Sequence, residues 1–283
     1  MNRYTVFILT LLIPSLLYGD LNFEKKQQNF MWELYSQGRY IEAITEAKRA
    51  EKLSKQNNEF FIYANYYLAG YYDKVIDYYT TITPPKDLCS TYLLSMAFLN
   101  SGKYEDSYQT LLQKNYSGNS EDFILFRQRV FPLILLDDMD RIKEESMAVY
   151  EFSTNNIYLQ GLREDLLKYS EIKKLSPFRS AIASAILPGA GQIYSGRISD
   201  GIISFISVAA TSLAGYYFYK KEERSISYTL FFFSGLFYTG NIYGAYNSAE
   251  FENKRRALEK YKSIKTKYGS YTPQSCIERE KKQ

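Results

Sequence analysis

The chain offers few groups that could carry covalent chemistry. It has no histidine among its 283 residues, so the usual neutral-pH general base, the imidazole of a catalytic triad and the commonest metal ligand are all missing. Its cysteines, Cys89 and Cys276, form no CxxC pair and cannot alone hold a zinc ion. Nothing in the sequence brings them together, and a disulfide between them is left open. Acidic pairs such as Asp137-Asp138 carry the spacing of a solvated helical face. That leaves AILPGAGQIYSGR, residues 185–197, whose glycines suggest a phosphate loop. A dinucleotide fingerprint needs a third glycine three residues after Gly191, where Tyr194 stands. A P-loop ends in Gly-Lys-Ser/Thr, whereas Gly196 is followed by Arg197 and Ile198. Neither phosphate cradle is present, so the sequence predicts no enzyme, no cofactor and no metal.

The residues downstream explain these glycines better. Residues 201–219, GIISFISVAATSLAGYYFY, are uncharged over 19 positions, about 28 Å of helix and close to the hydrocarbon thickness of a bilayer. Ser225 to Ala249 is a second uncharged run of 25 residues, separated from the first by KKEER at 220–224. The pair predicts a two-span transmembrane hairpin. Small residues recur every fourth place, as Ser207, Thr211 and Gly215 on one run and Gly240, Gly244 and Ser248 on the other. Such stripes let helices approach closely, so they are expected to face each other or a second copy, giving a homo-oligomer. Asn241 within the run needs a hydrogen-bond partner across the bundle. Residues 180–196 are interrupted by Pro188-Gly189 and flanked by Arg179, Arg197 and Asp200. They are expected to form an interfacial or re-entrant helix, with Gln192 and Tyr194 holding its broken backbone at the headgroup level.

Upstream, Gly38, Gly70 and Gly102 stand 32 residues apart, each followed two places later by Tyr40, Tyr72 or Tyr104. This period predicts stacked helix pairs with a left-handed glycine between the helices. The second helices present Ala43, Ile44, Ala47 and Ala50, then Val75, Ile76, Tyr79 and Ile82, to a shared core. A fourth unit over residues 123–150 keeps the helices without the glycine. The G-x-Y-x-x-A-I pattern of Gly38, Tyr40, Ala43 and Ile44 resembles the tetratricopeptide repeat family, with Val75 and Ser107 departing from its small alanine. The resemblance implies an all-α solenoid whose first helices line a concave face for a protein partner, a peptide or apolar segment. By register that face holds Gln28, Trp32, Tyr35, Phe60, Tyr67, Tyr92, Met96 and Leu99. None is basic, and the aromatics suit an apolar or proline-rich segment.

Pro188, Gly189, Gly191, Gln192, Tyr194, Gly196 and Arg197, followed by the paired runs, form a second pattern. It resembles a bacterial family of small two-span membrane domains of unknown function, lacking that family's acidic residue near Gly244. At the amino terminus, residues 1–19 read as a secretory signal: Arg3, then an apolar run to Leu17, then small Gly19. From Glu250 onward ten Lys/Arg face five Asp/Glu, so the tail carries +5 of a chain whose net charge is +4. A nucleic-acid-binding body is therefore not indicated. The tail predicts a basic amphipathic helix with Ala257, Tyr261, Ile264 and Tyr268 on one face.

The expected order is thus a signal peptide (1–19), a repeat domain (20–175), an interfacial helix with two spans (176–249) and a basic tail (250–283). Seven Lys/Arg between 254 and 267, against three in 220–224, oppose a tail on the exported side. A third crossing by residues 180–196 would relieve this, but two spans are expected. The sequence predicts a bacterial cytoplasmic-membrane scaffold with its repeats on the extracytoplasmic side. The alternative is an accessory subunit of a transporter or channel, against which stands the absence of ionisable residues in either run.

Overall fold

The computed structural model describes residues 25–54, 57–85, 87–117, 121–153, 156–269 and 272–281. The signal peptide expected at residues 1–19 lies outside them. The protein is all-helical, 82 % helix, with no strand among the described residues. It divides into two compact units, one comprising Met1–Pro132 with Ser270–Gln283, the other Leu133–Gly269. The second apolar run and the start of the basic tail are one 45-residue helix.

The first unit holds three helical hairpins. Residues 25–36 (α1) pair with Tyr40–Ser54 (α2), Glu59–Leu68 (α3) with Tyr72–Asp77 (α4), and Leu88–Asn100 (α5) with Tyr104–Leu112 (α6). At each turn the glycine is left-handed: φ is 74° at Gly38, 83° at Gly70 and 76° at Gly102. The amide after each glycine donates to the carbonyl five residues back, as Arg39 to Leu34 (2.9 Å), Tyr71 to Tyr66 (2.9 Å) and Lys103 to Phe98 (2.9 Å). This closes each first helix with the paired bonds that satisfy its last carbonyls. The next turn, between Asp122–Leu136 (α7) and Met139–Ala148 (α8), lacks a glycine, and Asp137 takes the left-handed conformation at φ 56°. An aspartate tolerates that region better than most side chains.

Ala43, Ile44, Ala47, Val75, Ile76 and Tyr79 all enter the core of this unit, with Phe61, Leu93 and Ala97. Ile82 does not; it is 70 % exposed. The cause is a π-helical turn over Tyr78–Ile82 that follows α4, where Thr83 N–H donates to Tyr78 (3.0 Å). The wider turn rotates Ile82 off the buried face. The last helix, Gln274–Lys281 (α15), returns to this unit, with Ile277 fully buried in its core. Cys276 is bonded to Cys89 on α5, with their Cα atoms 6.0 Å apart.

The second unit continues through Tyr150–Ser153 (α9), Ile157–Ser170 (α10), Pro177–Ile186 (α11), Ala190–Tyr194 (α12), Ile198–Lys220 (α13) and Arg224–Tyr268 (α14). Asn156 caps α10, and Ser176 with Pro177 opens α11, as expected from the side-chain acceptor and fixed φ those residues supply. The left-handed turn recurs at Gly196 (φ 84°) before α13 and at Glu222 (φ 65°) before α14. The buried Ala257, Ile264 and Tyr268 form the inner face of the tail. Tyr268 and Lys267 hold Asp165 of α10 at 2.7 and 2.6 Å. Burial opposes ionisation of Asp165, but these two bonds outweigh it and hold its pKa below the ordinary carboxylate range.

Candidate functional site

Gly189, Gly191 and Gln192 are the pivot of the second unit. Leu187 is extended before Pro188, ending α11, and Gly189 takes φ 88° as the cap of α12. A Cβ at Gly189 would lie 2.0 Å from the Gly201 carbonyl, and one at Gly191 would lie 2.0 Å from the Ser180 carbonyl and 2.7 Å from Ala245 Cβ. Both clashes are with groups that cannot rotate away, so only glycine fits. The loop therefore packs backbone against backbone on α13 at Gly189 and on α11 at Gly191, where it also meets the Ala245 methyl of α14.

Paired contacts set the direction. Leu175 exchanges two hydrogen bonds with Asn253 (3.0 and 2.9 Å), Ser180 Oγ donates to Ala245 O (2.8 Å), and Asn241 Nδ2 donates to Ser184 O (3.3 Å). α11 thus runs antiparallel to α14 from the level of Asn253 down to that of Asn241. Below the turn the chain climbs back, and Arg197 Nη1 reaches Ser248 (3.5 Å). α13 then descends antiparallel to α14, with Ser234 against Ser212 (2.6 Å) and Ser227 donating to Gly215 O (2.9 Å).

A buried polar cluster fills the junction. Asn241 Oδ1 accepts from the Gly189 N–H and from Gln192 Nε2, both at 3.0 Å, and Gln192 Nε2 also meets the Asn241 carbonyl at 3.0 Å. Ser184 Oγ accepts from Gly191 N–H and donates to Gln192 Oε1, both at 2.9 Å. Ser184, Gln192 and Asn241 are at most 4 % exposed. Each amide atom is satisfied, which removes the cost of taking these dipoles out of water.

Not every expected residue joins in. Tyr194 is 46 % exposed and holds none of these groups; the freed N–H groups of Gly189 and Gly191 are held by Asn241 and Ser184, and Gln192 braces those two side chains in the interior and not at the rim. Arg197 pairs with Asp200 on its own helix. A Cβ at Gly240 would meet nothing within 4 Å, and one at Gly244 would meet only Gln192 Nε2 at 3.4 Å. With Ser204, Ser207 and Ser248 these glycines line an open crevice of about 370 Å³. Close packing occurs instead at Gly215, where a Cβ would meet the Phe231 ring at 3.0 Å. The Ser212–Ser234 pair, Ser227 and the Phe231 ring fill that seam, and of its residues only Gly215 lies on a four-residue stripe.

On the first unit, Tyr92 and Met96 are each only 3 % exposed. They leave the proposed partner face because α5 is buried from Ser90 through Leu99, on every side. Leu99 goes with them. Trp32 stands edge-on to Phe61 (4.7 Å) and Tyr35 (6.0 Å), and with Tyr35, Phe60 and Tyr67 is partly buried against the core. Tyr67 Oη also accepts from Asn100 (2.8 Å). The open concavities lie elsewhere, in two adjoining hollows of about 410 and 350 Å³ that share Lys48 and Tyr66. Arg49 and Lys52 line the first with Ile41, and Lys74, Asp77, Tyr63 and Tyr78 line the second, so four cations stand against one carboxylate, counting Lys48. Tyr63 and Tyr78 stack at 3.8 Å, and burial, with the neighbouring tyrosines and glutamates, pushes the Tyr63 phenol up to about 12. Lys48 and Lys52 share the solvent face of α2, which periodicity alone reads as bulk charge.

Among the described residues, α13 is the one helix long and apolar enough to cross a membrane, and 17 % of that stretch is buried. Comparison with known protein families, characterised proteins and solved structures finds no match to the chain.

Proposed function

We propose that the protein is a membrane-anchored scaffold of the bacterial envelope, in which α13 and the 225–249 part of α14 cross the bilayer and the helical hairpins of the first unit hold a partner protein beside it. The observation that carries the reading is the outer surface of α13 and α14. Ile203, Phe205, Ile206, Leu213, Phe232 and Tyr243 are all 47–70 % exposed, more large hydrophobic side chains on one hairpin than soluble monomers commonly leave to water. The buried polar side chains Ser227, Ser234 and Asn241 of the same hairpin are each paired, and the exposed Thr229 and Thr239 hydroxyls bond to carbonyls of their own helix, the arrangement lipid demands. α11 and α12, at 10 and 5 residues, are too short to span and dip into the hydrocarbon as a re-entrant pair. Asn241 lies about 12 Å along the helix from Ala249, so the dip reaches the middle third of the membrane.

Parity supports two crossings over three. Residues on both sides of the hairpin belong to one compact unit, so the chain returns to the side it left. The Cys89–Cys276 bond fits an oxidising compartment, in keeping with a signal at residues 1–19. The basic tail then stays on the exported side, against the usual charge bias, because it is folded into the second unit.

For the partner face, the Lys48–Tyr66 hollows suit an acidic segment bearing an aromatic or apolar anchor, with Trp32, Tyr35, Phe60 and Tyr67 giving secondary contact area. A photo-crosslinking residue at Ile41, which lines one hollow at 47 % exposure, is expected to capture one protein in intact cells. Lys48→Glu should reduce that product about tenfold by placing like charge against the partner. An unchanged product would remove the hollows from the binding face.

A further inference from the structure

Between α10 and α14 of the second unit lies a cavity of about 330 Å³, walled by Tyr169, Ile172, Lys173, Lys174, Arg256 and Lys260. We infer that this cavity holds the headgroup of an anionic phospholipid. The inference rests on the membrane reading above and adds to it a specific lipid site.

The cavity lies at the depth of lipid headgroups. Leu175, next to Lys173 and Lys174, is pinned to Asn253, four residues beyond the last uncharged position of the run. Asn253 and Arg256 lie about 6 and 10 Å past Ala249 along the helix, at the level of headgroup phosphates.

Of the cavity's carboxylates, Asp137 is already held by Lys174 (2.9 Å) and Glu259 by Arg255 (2.5 Å). Lys173 makes no ion pair among the described residues, and the Lys260 ammonium lies 5.7 Å from the Tyr169 ring centroid. Asp165, the carboxylate that acts on Lys260 from α10, is engaged by Lys267 at 2.6 Å. Burial lowers the Lys260 pKa despite it, which marks a cation short of counter-charge. A phosphodiester between Lys173 and Lys260 supplies it, while Ile172 and the Tyr169 ring give the glycerol and upper acyl carbons an apolar wall. A zwitterionic lipid carries its own ammonium into the same space and loses this advantage.

The test uses the full-length protein in mixed-lipid nanodiscs, extracted and weighed by native mass spectrometry. Phosphatidylglycerol is expected to be retained over phosphatidylcholine. The pair Lys173→Gln with Lys260→Gln should weaken that retention about tenfold or more. The pair Lys254→Gln with Lys262→Gln removes the same charge from the tail helix outside the cavity and should leave it within about twofold. Equal retention of both lipids, equal loss in both variant pairs, or displacement by millimolar inorganic phosphate would each overturn the site. Liposome flotation of the same samples separates the two readings. Protein that floats without a lipid preference defeats the cavity alone, and protein that does not float defeats the membrane anchor and the cavity together.

Discussion

Gly191→Ala is expected to destabilise the second unit by about 3 kcal/mol or more, while Gly240→Ala shifts it by no more than about 1 kcal/mol. At Gly191 the new methyl would lie 2.0 Å from the Ser180 carbonyl and 2.7 Å from Ala245 Cβ. The first is backbone and the second has no rotamer, so α12 must lift off both α11 and α14. That movement separates Ser184 from Gly191 N–H and Gln192 from Asn241, and leaves buried amides unpaired. At Gly240 nothing lies within 4 Å, and alanine is the better helix former. Denaturant unfolding of both variants in one detergent checks the contrast. Equal losses would show that the stripe glycine packs as tightly as the loop glycine, and the described seam would be wrong.

Breaking the Cys89–Cys276 bond should cost the first unit about 2–5 kcal/mol. The cysteines are 187 residues apart, so the cross-link excludes a large share of unfolded-chain conformations. It also secures α15, whose Ile277 is fully buried in the core yet whose eight residues are too few to hold a helix unaided. Cys89→Ser and the reduced native protein should therefore behave alike. Each should show fast amide exchange across 274–281 and a lower unfolding midpoint for the first unit. Full protection of α15 after reduction would mean that packing alone docks it, and the argument from the bond to an oxidising compartment would lose its force.

The helical hairpins could be read from the sequence because their cause is local. A left-handed turn selects glycine at Gly38, Gly70 and Gly102, and apolar spacing marks Ala43, Ala47, Val75 and Ile76 as buried. Where the cause is tertiary, the sequence misleads. Met96 sits at the register of Trp32 and Tyr92 at that of Gln28, yet α5 is covered all round and α1 is not. Ile82 fails because one π-helical turn shifts the phase by a single residue. The disulfide was illegible, since nothing local to Cys89 or Cys276 encodes their meeting.

The loop at 188–197 was half legible. Asn241 could be assigned to a partner across the bundle from the cost of a buried amide, and Pro188-Gly189 to a break in the helix. The partners themselves, Gly189 N–H and Gln192, emerge only once α11 is seen to run antiparallel to α14. Gly240 and Gly244 show the reverse error. Four-residue spacing marks Gly215, which does pack, but cannot say that Ser212 and Ser234, off the stripes, complete the seam.

The most direct test of the membrane hairpin is depth measurement by spin labels placed singly at Leu213, Phe232 and Leu258 in liposome-reconstituted protein, reading collisions with dissolved oxygen against a water-soluble relaxant. The hairpin requires Leu213 and Phe232 to be immersed in hydrocarbon and Leu258 to be in water. Equal access of the water-soluble relaxant to all three sites would contradict it.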